Sequence, residues 1–196
     1  MKMKSLIHIG VMLCCASMTA QAETKAAEDM TTILTRYRSM LVEGEVMDAK
    51  EVREHMESIS KEGTWADVNY KGKDRNDWEP FYHIFRLGYL AKAYAKPGHA
   101  LHGDKALLKT ILLGIDHWLA GGYRCGNWWY NDIAVPTHFG KIAVYINDDL
   151  TGDRRKTVVK ICSIQGKGGR KWGTGANLTD VAIIAIGKAA LTGDTA

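Results

Sequence analysis

Past its N-terminus the sequence has no apolar stretch long and uncharged enough to cross a bilayer, so a membrane-spanning body is not expected. It has no long block of Lys or Arg. Charges of both signs are interspersed, which argues against nucleic acid as a partner. No Gly-Lys pair is followed by Ser or Thr, and this excludes a phosphate-binding nucleotide loop. No alternating apolar–polar run is convincing enough for a β-sheet. Cysteine is scarce, with four in 196 residues. Two of these, Cys14 and Cys15, lie at the extreme N-terminus, which leaves Cys125 and Cys162. One pair is no disulfide framework, and the sequence leaves open whether they pair or stay as buried thiols. No Cys/His cluster has ligand spacing, so neither a metal nor another cofactor is expected.

What is present begins with MKMK, an apolar run from Leu6 to Cys15, and small residues ending in Ala20-Gln21-Ala22. A basic start, a short apolar core and an A-x-A site form a secretory signal peptide over residues 1–22, with cleavage after Ala22. The expected location is therefore secreted or periplasmic. Met12-Leu13 before the cysteines fits a lipoprotein signal poorly. Removing Lys2 and Lys4 with the leader lowers the formal charge from +4 to +2, so the basic balance carries little meaning.

The remainder reads as helices. Met30, Ile33, Leu34, Tyr37 and Leu41 recur at helical spacing, and Val52, Met56 and Ile59 continue it on a second segment. A polar loop from Glu62 to Glu79 precedes a third helix marked by Phe81, Ile84, Phe85, Gly88, Ala91 and Tyr94. In the fourth, Asp104 is the expected N-cap, Leu107 to Leu119 form the apolar stripe with Trp118 as core, and Gly121-Gly122 is the stop. Further helices are expected over about 137–147, 153–163 and 177–191. The fold class is all-α. Leu150-Thr151-Gly152-Asp153 recurs as Leu191-Thr192-Gly193-Asp194. If each Gly closes one helix and each Asp caps the next, helix hairpins follow one another in series. The chain then stops where a further helix is expected, as in a fragment of a longer protein.

Two polar stretches stand out. In Gly126–Pro136, GNWWYNDIAVP, two tryptophans are adjacent and flanked by Asn127 and Asn131. Neighbouring side chains point about 100° apart on a helix, so both rings are hard to bury on one side. Exposed indoles beside amides suit carbohydrate, whose C–H faces stack on rings while hydroxyls and carboxylates bond amides. A structural corner between two helices is the competing reading. The second stretch, Lys167–Asp180, is a loop with Lys167, Arg170 and Lys171 as cations. It enters a helix at Asn177, which is either the N-cap of that helix or an amide facing a cleft.

Together these stretches resemble polysaccharide lyase family 8, the hyaluronate, chondroitin and xanthan lyases, in their N-terminal α-helical domain. GTWADVNY with DRNDWEPFYHIFRLGYLAKAY, from Gly63 to Tyr94, is similar to the family's W-x-D-I-N-Y loop and following helix. NWWYNDIAVP resembles N-W-W-x-x-E-I-G-x-P, with Asp132 for Glu and Ala134 for Gly. GTGANLTDVAIIAIGKAALTGD resembles the family's T-G-A-N stretch, with Leu178 where Arg is commoner.

The resemblance implies that residues 23–196 form the N-terminal part of an incomplete (α/α) toroid of serial helix hairpins. It implies β-elimination on an acidic polysaccharide such as hyaluronan, chondroitin or xanthan. It also implies Asn177 as the catalytic, carboxylate-neutralising amide, and Asn127, Trp128 and Trp129 as the patch that binds the substrate. The family's catalytic His, Tyr and Arg lie further along than this chain reaches, so a missing C-terminal segment is expected to be needed for turnover. His83, His99, His102, His117 and His138 match no motif. His83 and His117, inside expected helices, are expected to be satisfied core or surface residues. Two other classes stay open: a non-catalytic carbohydrate-binding helical module and a purely structural helical scaffold.

Overall fold

Local signals set where each helix begins and ends. A computed structural model describes residues 24–44, 47–163 and 175–193. The helices are α1 (24–42), α2 (Ala49–Ser58), α3 (Phe81–Ala95), α4 (Lys105–Gly121), α5 (Val135–Tyr145), α6 (Gly152–Cys162) and α7 (Ala176–Thr192). A five-residue π-helix, Tyr130–Ala134, runs directly into α5. Asp48 caps α2 by accepting from the Lys50 amide at 2.8 Å, and Asp104 caps α4 from the Leu107 amide at 2.8 Å. Gly122 closes α4 at φ 59°, a conformation that favours glycine. Among the described residues there is no strand, only an isolated bridge between Ile59 and Trp65. The fold is all-α, as the periodicity predicts.

The helices stack as two layers. α3, α5 and α7 lie side by side, while α2 packs on α3, α4 on α3, and α6 on both α5 and α7. The three inner helices run in one direction. Phe81 meets Tyr130 and Phe85 meets His138 along α3 and α5, and Lys92 and Tyr145 line the far end of the same groove. Gly140 meets Ile183 and Ile184, and further along Val144 and Ala190 share a pocket. Each inner helix is thus reached through an outer one running back, which is the serial hairpin of an (α/α) toroid. Between the layers lie Ile84, Leu87, Leu107, Ile111, Ile115, Trp118, Phe139 and Ile142, all buried. α5 and α7 meet glycine on glycine: a Cβ built on Gly187 would stand 2.3 Å from the Gly140 Cα.

The loop before α3 is locked residue by residue. The Trp65 indole donates to the His55 carbonyl at 3.0 Å, and its backbone amide donates to the Tyr70 hydroxyl at 3.0 Å. Asp67 takes a bidentate pair from Arg86 at 3.0 and 2.7 Å, with the guanidinium 4.9 Å above the Trp65 ring. Asn69 donates to Glu79 at 2.7 Å. The WADVNY stretch therefore ties α2 to α3.

Two sequence expectations need correction. The two LTGD copies do different jobs. Gly193 does close α7, at φ 67°, with its amide on the Ala189 carbonyl. Gly152, at φ 60°, instead opens α6 behind Thr151, seven residues after the end of α5. Asp153 is in the first turn, paired with Lys156 at 3.0 Å. Likewise Asn177 is not the N-cap of α7. Gly175 is, at φ 64°, and Asn177 stands in the first turn. The expected signal peptide and the cations Lys167, Arg170 and Lys171 lie outside the described residues.

Candidate functional site

The corner carrying the two tryptophans is built by asparagines. Asn127 Oδ1 accepts from the Trp129 amide at 3.0 Å, so Asn127 caps the helical turn that Trp128 and Trp129 begin. Its Nδ2 donates to the Arg75 carbonyl at 3.0 Å. Both ends of this amide are engaged in the fold. Asn131 accepts from the Cys125 amide at 3.0 Å and donates to the carbonyls of Cys125 and Asn127. The loop-like composition here thus hides a helix start. The Tyr130 hydroxyl reaches the Asn76 carbonyl at 2.9 Å, pinning the corner to the loop before α3.

This construction leaves both indoles outside. Trp128 is 44% and Trp129 37% exposed, against 4% for the core residue Trp118. Rings run inward from them in T-shaped contacts: Trp129 to Tyr130 at 5.4 Å, Tyr130 to Phe81 at 5.3 Å, and Phe81 to His138 at 5.0 Å. Tyr82 and Phe85, at the start of α3, are also exposed. They belong to the same rim: Phe85, expected on the apolar stripe of the third helix, faces outward instead, and the sequence assigns Tyr82 no role. Their signal was an apolar stripe on α3 too wide for one buried face.

Asn177 comes to this rim as well. With α5 and α7 parallel and Gly140 beside Ile184, the first turn of α7 falls near the π-helix at a rise of about 1.5 Å per residue. The π-helix does contact α7. Asn177 is half-buried there, next to the exposed Leu178. The starts of α3, α5 and α7 therefore share one edge of the inner layer, bringing Tyr82, the Trp pair and Asn177 to it.

Histidines are consumed by the fold. His83 is fully buried, with Nε2 2.9 Å from the Gly114 carbonyl and Nδ1 2.9 Å from the Tyr70 hydroxyl. A carbonyl only accepts, so Nε2 carries the proton and Nδ1 accepts from Tyr70. Burial pushes this imidazole down to about 4. His117 is bonded at both nitrogens, to the Glu62 carbonyl and the Tyr123 hydroxyl. His138, wedged between Phe81 and Phe85, is also lowered to about 4 by burial. His99 and His102 shape the turn before α4, through the Leu101 amide and the Tyr94 carbonyl. Cys125 and Cys162 are buried free thiols, and burial pushes Cys162 up to about 12. Among the described residues no His, Cys, Asp and Glu group has the makings of a metal site.

Comparison with known proteins places this geometry. The family model for polysaccharide lyase family 8, N-terminal α-helical domain, matches residues 20–196. The chain is 27% identical over 147 residues to chondroitinase-AC of Pedobacter heparinus, covering 75% of this chain and 21% of that protein. A chondroitinase AC lyase solved in oligosaccharide complexes superposes with a TM-score of 0.68 at 26% identity, over 86% of this chain and 25% of that one. A Paenibacillus xanthan lyase shares the fold at a TM-score of 0.68 and 23% identity, over 87% of this chain and 18% of that one. The chain spans about a fifth to a quarter of the length of these relatives. On this match, together with its parallel inner helices, the chain belongs to polysaccharide lyase family 8, as the family's N-terminal α-helical domain.

Proposed function

We propose that this domain forms the substrate-orienting wall of an exported lyase that cleaves a uronic-acid-containing polysaccharide by β-elimination. The observation that carries the reading is the exposed Trp128–Trp129 pair on the rim that α7 reaches with Asn177. The indole faces stack on the apolar side of a sugar ring, and Asn127 acts as a positioning residue that holds them. The Asn177 amide bonds the uronate carboxylate.

The chemistry explains why such an amide is needed. The C5 proton of a uronate is weakly acidic because the ionised carboxylate resists further negative charge. A neutral donor on that carboxylate stabilises the enolate-like intermediate. A base then takes the C5 proton, and an acid protonates the departing oxygen at C4. The engagement of His83 and His117 in the fold supports assigning both proton transfers to parts of the enzyme beyond this domain.

The test is the ultraviolet absorbance of the unsaturated uronate. Chondroitin and hyaluronan are incubated with this chain and with a protein extended to the length of its relatives. The extended protein is expected to produce the chromophore, and Asn177→Ala in it to lose about a hundredfold or more in kcat while still binding. Chromophore from the short chain alone would refute the division of labour. Binding without chromophore from either would favour the second reading, a non-catalytic carbohydrate-binding module.

A further inference from the structure

The loop before α3 and the loop after α4 enclose an open pocket of about 350 Å³. Its aromatic and apolar wall is Tyr70, Trp78, Pro80 and Tyr123, with Trp78 fully buried as the floor. Its remaining lining is cationic: Lys71, Lys73 and Arg124, all exposed.

The acids of the same loop are turned to other work. Asp74 accepts from the amides of Asn76 and Asp77 at 2.7 and 3.1 Å, which lowers its carboxyl below the ordinary range. Asp77 accepts from the Tyr82 hydroxyl. Glu79, behind Gly72, accepts from Asn69 at 2.7 Å. Three cations thus converge on a concavity while the neighbouring carboxylates are occupied by backbone and side-chain donors. No carboxylate is among the residues that line the pocket itself. A run of ring contacts links the pocket floor to the proposed sugar wall: Trp78 lies 5.5 Å from Tyr130, and Tyr130 5.4 Å from Trp129.

We infer that this pocket is a second subsite of the same polysaccharide track, taking an anionic substituent of a sugar a short way along the chain from the ring on the Trp pair. The substituent is a uronate carboxylate or a sulfate ester. Aromatic walls take the ring, and Lys71, Lys73 and Arg124 take the charge. The inference rests on the carbohydrate reading above.

The experiment measures binding of labelled hyaluronan and chondroitin sulfate oligosaccharides of equal length to the full chain across a salt series. Three variants are compared with the parent: Lys71→Gln/Lys73→Gln/Arg124→Gln, Trp128→Ala, and a control, Lys105→Gln/Lys109→Gln/Lys160→Gln, that removes three exposed charges elsewhere. The pocket variant is expected to bind about tenfold more weakly and with a flatter salt dependence, since screened charge pairs are what salt weakens. Loss with both polymers identifies a carboxylate, and loss confined to chondroitin sulfate identifies a sulfate. If the pocket variant binds like the parent, or no worse than the control, while Trp128→Ala is impaired, the subsite is refuted and the proposed function stands. If the parent chain binds neither polymer, both fall.

Discussion

Acid sensitivity of the domain should trace to His83. In the folded chain this imidazole is held neutral between the Gly114 carbonyl and the Tyr70 hydroxyl, and is ringed by Trp65, Tyr70, His117 and Trp118. Its folded value of about 4 lies below the ordinary 6.5, so the unfolded chain takes the proton more readily. The stabilisation is complete above 6.5 and drains away as the pH falls towards 4. Two and a half units correspond to about 3 kcal/mol in all, of which about 2 is lost between about pH 7 and pH 5. Denaturant unfolding followed by circular dichroism over this range measures the loss. His55 and His138 shift in the same direction, so the comparison must be with His83→Gln, which keeps a donor and an acceptor but does not titrate. The variant should start less stable at neutral pH, and the gap should close by about 2 kcal/mol at about pH 5. Parallel curves for the two proteins would refute the reasoning.

Three further outcomes follow from the packing. Gly187→Ala forces a methyl against the Gly140 backbone and should destabilise by about 3 kcal/mol or more, read as a lower unfolding midpoint. Asn127→Ala removes the cap of the tryptophan turn and should destabilise by about 1 kcal/mol, with weaker polysaccharide binding because the rings lose their support. Trp128→Ala, by contrast, should move stability by about 0.5 kcal/mol or less, while oligosaccharide affinity in a titration falls about tenfold.

Much of the framework is legible because its signals are local. Asp104 bounds α4 through a bond to the Leu107 amide and Gly122 through its left-handed conformation, and the apolar period between them fixes which side is buried. The Trp pair is legible as exposed because adjacency alone forbids shared burial. Its helical setting is not, since composition cannot show that the Asn127 amide caps the turn rather than a loop. The Asn177 cap was misplaced for a related reason: Gly175 at positive φ opens the helix two residues earlier, with no side-chain bond to advertise it. The shared rim was out of reach of residue reading. It depends on parallel inner helices, and on Gly140 meeting Gly187 across residues far apart in the chain. The role of the WADVNY loop was hidden in the same way, because its partners His55, Glu79, His83 and Arg86 lie on α2, α3 and the loop between them.

The short π-helix sets an angular phase. In Tyr130–Ala134 the Val135 amide bonds the Tyr130 carbonyl, one residue further back than an α-helix would allow. One extra residue turns everything before it by about 100° relative to the helix that follows. α5 is clamped by its buried face, including Phe139, Gly140, Ile142 and Ala143, so its own orientation is not free to change. The heading of the indoles is therefore set by a count of residues. Loss of one residue here would turn the indoles by about 100° around the helix axis relative to α5, and would break the Asn127–Arg75 and Tyr130–Asn76 bonds that pin the corner.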